Sequence, residues 1–120
     1  LGIDLKRQKN TNGLTVEEFQ NVTTNDEHVL LDLREDSEIY HDGKIKNSIH
    51  VPFDQVSDYL IKEKENLQGK KILMYCAVGH RSTLAVQVSK SYDYKNCYHL
   101  MGGVKNWVAQ GNPIEKKDHH

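Results

Sequence analysis

Short apolar runs that alternate with helical segments constrain the fold of this chain more than any other feature. The clearest run is KKILMY at residues 70–75, and a second, HVLLDLR, occupies residues 28–34. Continuous apolar runs bounded by polar turns indicate strands that are buried on both faces. Because helical segments separate these runs, the sequence predicts an α/β fold with a five-stranded, mostly parallel sheet and helices on both faces.

Capping signals and turn residues set the expected bounds of the other elements. Thr15 with Glu18 three residues later is a capping-box pattern, and it predicts a short helix from Val16 to about Val22. Gly43 is expected to end a second helix. This second helix is predicted within residues 34–43, and three more helices are predicted within residues 54–67, 82–92 and 102–111. Further strands are predicted within residues 1–13, 47–52 and 96–101.

Three of the predicted helices carry apolar residues at helical spacing, which indicates the face that each one turns toward the core. The residues expected on these faces are Val56, Tyr59 and Leu60 in the first helix, Leu84, Ala85, Val88 and Tyr92 in the second, and Val104, Trp107 and Val108 in the third.

Length and charge fit one domain with small-molecule or protein partners. The chain has 120 residues and a net charge of −1, so it offers no electrostatic footprint for nucleic acid. No apolar run approaches the length of a membrane span, so no membrane partner is expected. We expect a single domain over residues 1–120 with its core at about 14–112, loosely ordered termini, and a purification-tag remnant at His119 and His120.

The two cysteines are expected to remain free thiols. Cys76 follows one predicted strand and Cys97 begins the next, so parallel strands would place them roughly 16 Å apart. A disulfide requires Cα atoms within about 7 Å, which leaves Cys97 as a core thiol. A reactive free cysteine suits the reducing cytoplasm, whereas removal of a signal peptide would instead allow the periplasm.

Cys76 lies where a parallel sheet binds its ligands. Such sheets bind beyond the carboxyl ends of their strands, and the N-terminus of the helix that follows stabilises negative charge. We therefore expect Cys76 to be a thiolate nucleophile. Arg81 adds a positive charge, and Gly79 lets successive N–H groups of the loop point inward.

The remaining loop residues fit a cup that is lined with hydrogen-bond donors. Ala77 and Val78 would contribute backbone N–H groups, and His80 would assist an anionic substrate when protonated. The alternative is that Cys76 is only a small buried hydrophobe, as many cysteines at strand ends are. The combination of strand, cysteine, glycine, arginine and helix start favours the nucleophile.

Four motifs occur in order along the chain. Residues 76–81 read C-x-x-G-x-R, residues 31–40 contain D-x-R-E followed by E-x-Y, and residues 43–52 run from a glycine to Val-Pro. Gly102 and Gly103 with Trp107 form the last motif. Together they resemble the motifs of rhodanese-like sulfurtransferase domains over about residues 14–112. The departures from the family pattern are Lys44, Asn47 and Ser48, where the family has His, Gly and Ala.

The resemblance implies a sulfurtransferase that works through a Cys76 persulfide. The thiolate would take a sulfane sulfur from thiosulfate or a persulfide and pass it to cyanide or a thiol by ping-pong catalysis. The backbone from Ala77 to Arg81 would cradle the persulfide, and a protein could act as a sulfur-relay partner. The family pattern also supports Asp32 as a residue that orients the loop for substrate, the alternative being a structural acceptor. No metal and no organic cofactor are implied.

Two other functional classes remain open. The first comprises cysteine phosphatases and arsenate reductases, which also combine a thiolate with a donor-lined loop and an arginine. The phosphatase loop has five residues between the cysteine and the arginine, whereas this chain has four. A shorter loop makes a narrower cup, which suits one sulfur atom better than a tetrahedral phosphate. The third class is a non-catalytic sulfur-relay or binding module. Arg34 is interpreted as structural and is expected to pair with Glu38 or another acid. His28, His41, His50 and His99 lack metal-ligand spacing and are interpreted as structural or exposed.

Overall fold

Five short strands form the sheet that the apolar runs predict. The computed structural model describes residues 5–116, so His119 and His120 lie outside the described residues. The strand order is β1-β5-β4-β2-β3, and every neighbouring pair is parallel, which confirms the α/β prediction. The strands are β1 (Gly13–Leu14), β2 (His28–Asp32), β3 (Ile49–His50), β4 (Lys71–Tyr75) and β5 (Cys97–Leu100).

Helices cover both faces of this sheet. One face packs against α4, α5 and α6, and the other packs against α2 and α7. The helices are α1 (Leu5–Asn10), α2 (Val16–Asn25), α3 (Asp36–Asp42), α4 (Val56–Lys62), α5 (Lys64–Leu67), α6 (His80–Ser91) and α7 (Gly103–Ala109). The single helix predicted over residues 54–67 is instead a 3₁₀ turn followed by α4 and α5. No helix in the described part of the chain is long and apolar enough to cross a membrane.

The central strands β2 and β4 explain the continuous apolar runs. Leu31 and Met74 pack into the core beneath α4 to α6, while their neighbours Leu30 and Leu73 pack into the core beneath α2 and α7. Successive side chains of a strand point to opposite faces, so the middle of a strand that is covered on both sides is apolar at every position.

The capping box at the start of α2 forms as predicted. The Thr15 hydroxyl accepts from the Glu18 N–H at 3.1 Å, and the Glu18 carboxylate accepts from the Thr15 N–H at 2.8 Å. The helix continues to Asn25, three residues beyond the expected end at Val22.

The predicted inward face is wrong for part of two helices. Leu84 is 42% exposed and Val108 is 49% exposed, although Val104 and Trp107 are buried as predicted. The face of α6 that meets the sheet carries small residues, which bring the helix axis close to the strands and leave no room for large side chains. The buried residues of α6 are Ser82, Thr83, Ala85, Val86 and Ser89.

The first described residues form a helix, although the sequence predicts a loosely ordered segment there. The helix α1 is anchored by Gln8, whose side chain is 2% exposed. A single buried polar residue leaves no apolar periodicity, so the sequence pattern gives no sign of this contact.

A buried ion pair lies beneath the ends of β2 and β4. The Asp32 carboxylate accepts from the Arg34 Nε at 3.0 Å and Nη2 at 2.8 Å, and both residues are 0% exposed. Arg34 therefore pairs with Asp32 rather than with Glu38. A buried pair is stable only when further hydrogen bonds satisfy it, and here Tyr75 and the Gly43 carbonyl supply them at 2.8 Å and 2.7 Å.

Tyr75 links this ion pair to the turn that precedes β3. Its hydroxyl donates to Asp32 and accepts from the Ile45 N–H at 3.0 Å. Burial and the neighbouring Asp32 carboxylate raise the pKa of Tyr75, so the hydroxyl remains a donor. In the same turn Asn47 has φ +69°, a left-handed conformation that asparagine tolerates, and the Ser48 hydroxyl donates to the Ile45 carbonyl at 2.7 Å. The departures from the family pattern at these positions therefore preserve the turn.

We expect Tyr75→Phe to lower the free energy of unfolding by about 1–3 kcal/mol, because it leaves the buried Asp32 carboxylate and the Ile45 N–H short of a partner. Urea titration would measure the loss. Tyr98→Phe, a change to a half-buried phenol on β5, is the matched control and should alter stability by less than about 0.5 kcal/mol. Equal losses in the two variants would contradict the role assigned to the Tyr75 hydroxyl.

Candidate active site

Cys76 lies between the end of β4 and the start of α6. The residue is 1% exposed, and its Sγ accepts from the Gly79 N–H at 3.2 Å and from the Ser82 N–H at 3.4 Å. Both donors belong to the N-terminus of a helix of twelve residues, where free N–H groups and the helix dipole favour negative charge. The surroundings of the sulfur therefore suit a thiolate.

Hydrogen bonds from outside the loop turn its carbonyl groups away from the sulfur. Since a trans peptide places N–H opposite C=O, the N–H groups of Ala77, Val78 and Gly79 point the other way. Of these three N–H groups, the one of Gly79 contacts Cys76 Sγ, and the donor-lined cup stays a prediction for the other two. The bonds are Val104 N–H to Cys76 O at 2.9 Å, Lys105 N–H to Ala77 O at 3.1 Å, and Gln8 Nε2 to Val78 O at 3.1 Å.

Two glycines allow the close packing behind the cup. A Cβ atom on Gly103, at the start of α7, would lie 2.4 Å from the carbonyl of Ala77. A Cβ atom on Gly79, whose φ is +105°, would lie 2.2 Å from Gln8 Oε1. Only residues without a side chain therefore fit where α1 and α7 hold the loop.

Arg81 is held by an acid on α3. Its guanidinium donates to both Glu38 carboxylate oxygens at 2.8 Å, and the two side chains are about 30% exposed at 31% and 28%. The hydrogen bond from Arg81 lowers the pKa of Glu38 from 4.5 to about 2. Glu38, and to a smaller extent Cys76, raises the pKa of Arg81.

The structure places the other predicted site residues as follows. His80 occupies the first position of α6 and is exposed to solvent, next to the loop. Asp32 also lies at the carboxyl edge of the sheet, but it is fully buried and its carboxylate binds Arg34 and Tyr75. These bonds give Asp32 a structural position outside the cup. No group of three or more His, Cys, Asp or Glu side chains within residues 5–116 could hold a metal ion.

Ser82 and Gln8 were not predicted to lie near the loop, and His99 was interpreted only as structural or exposed. The Ser82 hydroxyl lies 3.6 Å from Cys76 Sγ, and His99 Nδ1 lies 2.9 Å from that hydroxyl. The Gln8 side chain ties the Val78 carbonyl to the Gly102 N–H. For His99 a signal existed, because a polar residue inside an apolar strand must find a buried partner. Ser82 and Gln8 carry no comparable pattern.

The sequence and the fold are shared with known proteins. The model of the rhodanese-like domain family matches residues 15–110. A mouse protein, thiosulfate sulfurtransferase/rhodanese-like domain-containing protein 3, is 29% identical over 88% of this chain and 74% of its own length. The tRNA uridine(34) hydroxylase of Acinetobacter baumannii strain AYE is 30% identical over 96% of this chain, which spans only 38% of that protein.

A solved structure shows the same arrangement of elements. A Rhodopseudomonas palustris protein of unknown function, described as a possible tyrosine phosphatase, superposes with a TM-score of 0.80. The two sequences are 26% identical, and the match covers 96% of each chain.

We expect Gly103→Ala to slow iodoacetamide alkylation of Cys76 at least about tenfold, because the new Cβ would displace the Ala77 carbonyl and disorder the cup. Gly111→Ala is the matched control, since Gly111 also has a positive φ but nothing lies within 4 Å of its Cβ position. The control should lose about 1–2 kcal/mol of stability and keep the alkylation rate. Equal alkylation rates in both variants would contradict the proposed contact.

Glu38→Gln should destabilise the protein most at neutral pH. The pKa of Glu38 is lowered in the folded state, so its contribution is present above about pH 4.5 and is lost as pH falls toward about 2. The difference in Tm between wild type and variant should therefore shrink over this range. Glutamine keeps an acceptor for the Glu35 N–H, so a difference that does not depend on pH would show that charge is not involved.

Proposed function

We propose that this chain, which belongs to the rhodanese-like domain family, is a sulfurtransferase that carries a sulfane sulfur on Cys76 as a persulfide. The observation that carries the proposal is the pair of hydrogen bonds that Cys76 Sγ accepts from the N–H groups of Gly79 and Ser82. Such donors stabilise an anion in a site that excludes most water.

The chemistry follows from the arrangement of charge. The Cys76 thiolate attacks the outer sulfur of the donor, a new S–S bond forms, and the donor's S–S bond breaks. With thiosulfate, sulfite leaves with the bonding electron pair, and the negative charge moves to the outer sulfur of the Cys76 persulfide. The N–H groups of the cup and the Arg81 guanidinium then face that charge. An acceptor attacks the outer sulfur and restores the thiolate.

The short loop supports sulfur in preference to phosphate. Four residues separate Cys76 from Arg81, and the guanidinium already donates to both oxygens of Glu38. A phosphate would have to compete with that carboxylate for the fork of N–H groups that recognises two oxygens. A single sulfur atom needs only the backbone donors.

Thiosulfate or a persulfide is the proposed donor, and cyanide, a small thiol or a relay protein is the proposed acceptor. A reducing compartment keeps both described cysteines as thiols, which supports the expected cytoplasmic location.

A second candidate is a part in tRNA uridine hydroxylation. It is favoured by the 30% identity to a tRNA uridine(34) hydroxylase along 96% of this chain. Nucleoside mass spectrometry of tRNA incubated with the wild type and with Cys76→Ser would test it. Hydroxylated uridine 34 formed by the wild type alone is the expected result for this candidate.

Thiosulfate should add the mass of one sulfur atom to the protein, and cyanide should remove it. Cys76→Ser should gain nothing. Cys97→Ser is the matched control and should gain sulfur normally, because burial raises the pKa of Cys97 and keeps it a thiol. Intact mass spectrometry measures all three.

Two outcomes would overturn sulfur transfer through Cys76. One is the absence of any sulfur gain from thiosulfate and from a cysteine persulfide while Cys76 still reacts with iodoacetamide. The other is turnover of p-nitrophenyl phosphate by the wild type with no sulfur gain, which would favour the phosphatase alternative.

A further inference from the structure

A chain of hydrogen bonds runs from Cys76 into the interior of the protein. It passes from the Cys76 Sγ to the Ser82 hydroxyl at 3.6 Å and from that oxygen to His99 Nδ1 at 2.9 Å. It ends where His99 Nε2 meets the main-chain carbonyl of Gln8 at 3.1 Å. We propose that Ser82 and His99 form a proton relay that receives the Cys76 thiol proton. The inference rests on the proposed role of Cys76 as the nucleophile.

The last link of the chain fixes the direction of the others. A carbonyl oxygen can only accept, so Nε2 of a neutral His99 carries the hydrogen and donates to Gln8. Nδ1 is then the acceptor, and the Ser82 hydroxyl donates its single hydrogen to it. The Ser82 oxygen is left with lone pairs facing Cys76, so it accepts from the thiol. The hydrogen bonds of the chain therefore all run in one direction, from the thiol through the hydroxyl to the imidazole.

The Gly79 carbonyl, which could compete with His99 for the Ser82 hydroxyl hydrogen, already accepts two other hydrogen bonds. The Gly79 carbonyl lies 3.3 Å from the Ser82 hydroxyl, farther than the 2.9 Å to His99. The same carbonyl accepts from the Thr83 hydroxyl at 2.6 Å and from the Thr83 N–H at 3.1 Å. Ser82 is thus free to bond with His99.

Burial isolates the relay from solvent. Ser82 and His99 are 0% exposed and Cys76 is 1% exposed, so the thiol has little direct access to water as a base. Within residues 5–116, His99 is faced by the Ser82 and Thr83 hydroxyls of α6 and by main-chain oxygens of Gln8 and Thr11. The charged group near the sulfur end is Arg81.

These surroundings couple the two ends of the relay. Burial lowers the pKa of His99, so the imidazole is neutral while Cys76 holds its proton. When the proton leaves, the negative sulfur becomes the counter-charge of the imidazolium.

The proposed transfer conserves one proton and needs no oxidant or reductant. The S–H bond of Cys76 breaks as an O–H bond forms at Ser82, and the original O–H bond of Ser82 breaks as an N–H bond forms at His99 Nδ1. The products are a thiolate, a neutral hydroxyl and an imidazolium. The new O–H bond of Ser82 points to the sulfur, so the hydroxyl donates to the thiolate. His99 acts through Ser82, so it is a positioning residue.

The pH profile of Cys76 alkylation tests the relay. His99→Gln keeps a hydrogen-bonding amide but cannot take a proton, and Ser82→Ala breaks the connection. We expect each variant to raise the midpoint of iodoacetamide alkylation, followed by peptide mass spectrometry, by about one pH unit. The double variant should shift no further than the larger single shift, because the residues act in one chain. His28→Gln, at the opposite end of the sheet, is the matched control with the wild-type midpoint.

Nitrogen NMR of the wild-type protein with ¹⁵N-histidine adds a test that needs no variant to fold. The expected spectrum shows neutral His99 with its hydrogen on Nε2. The relay is overturned if neutral His99 carries its hydrogen on Nδ1, if His99→Gln keeps the wild-type alkylation midpoint, or if the two single shifts add.

The relay and the sulfur transfer can fail separately. Normal persulfide formation with an unshifted alkylation midpoint in His99→Gln would overturn the relay alone. A shifted midpoint in a protein that gains no sulfur from any donor would overturn sulfur transfer and leave the relay in place.

Discussion

Hydrogen bonds from α7 and Gln8 to three consecutive carbonyls determine the conformation of the loop that begins at Cys76. These bonds use the acceptor side of the peptides from Cys76 to Val78, and planarity then directs their N–H groups to the other side. The cup is therefore a consequence of what lies behind it. A glycine is needed at position 103 because α7 approaches the loop so closely that a Cβ atom would clash. Helix α1 contributes because its Gln8 side chain donates to the third carbonyl, that of Val78.

The same edge of the sheet depends on a second buried network. Asp32 and Arg34 pair beneath the ends of β2 and β4, and Tyr75 connects them to the turn before β3. Tyr75 directly precedes Cys76, so neighbouring residues of one strand end join the buried network and the loop. Under the proposed function, this network holds the strand end in the fixed geometry that a catalytic cysteine needs.

Sequence patterns predict the parts of this structure that rest on local rules. Alternating apolar runs predicted the parallel sheet, and the position of Cys76 between strand and helix predicted N–H donors around its sulfur, of which those of Gly79 and Ser82 contact it. The inward face of α6 was not predictable from periodicity, because small residues decide how closely it packs. Gln8 and His99 were missed for a related reason, since their burial depends on partners about 90 residues away, at sequence separations of 94 and 91.

The sheet ends on two strands that are only two residues long, β1 and β3. An exposed strand edge is a template on which another chain can pair and begin to aggregate. Here the five-residue strands β2 and β4 lie inside the sheet, and each outer edge offers few free backbone groups. The most apolar and β-prone sequences of the chain are thereby kept from intermolecular pairing, which protects them against amyloid-like association while the carboxyl edge of the sheet stays open for chemistry.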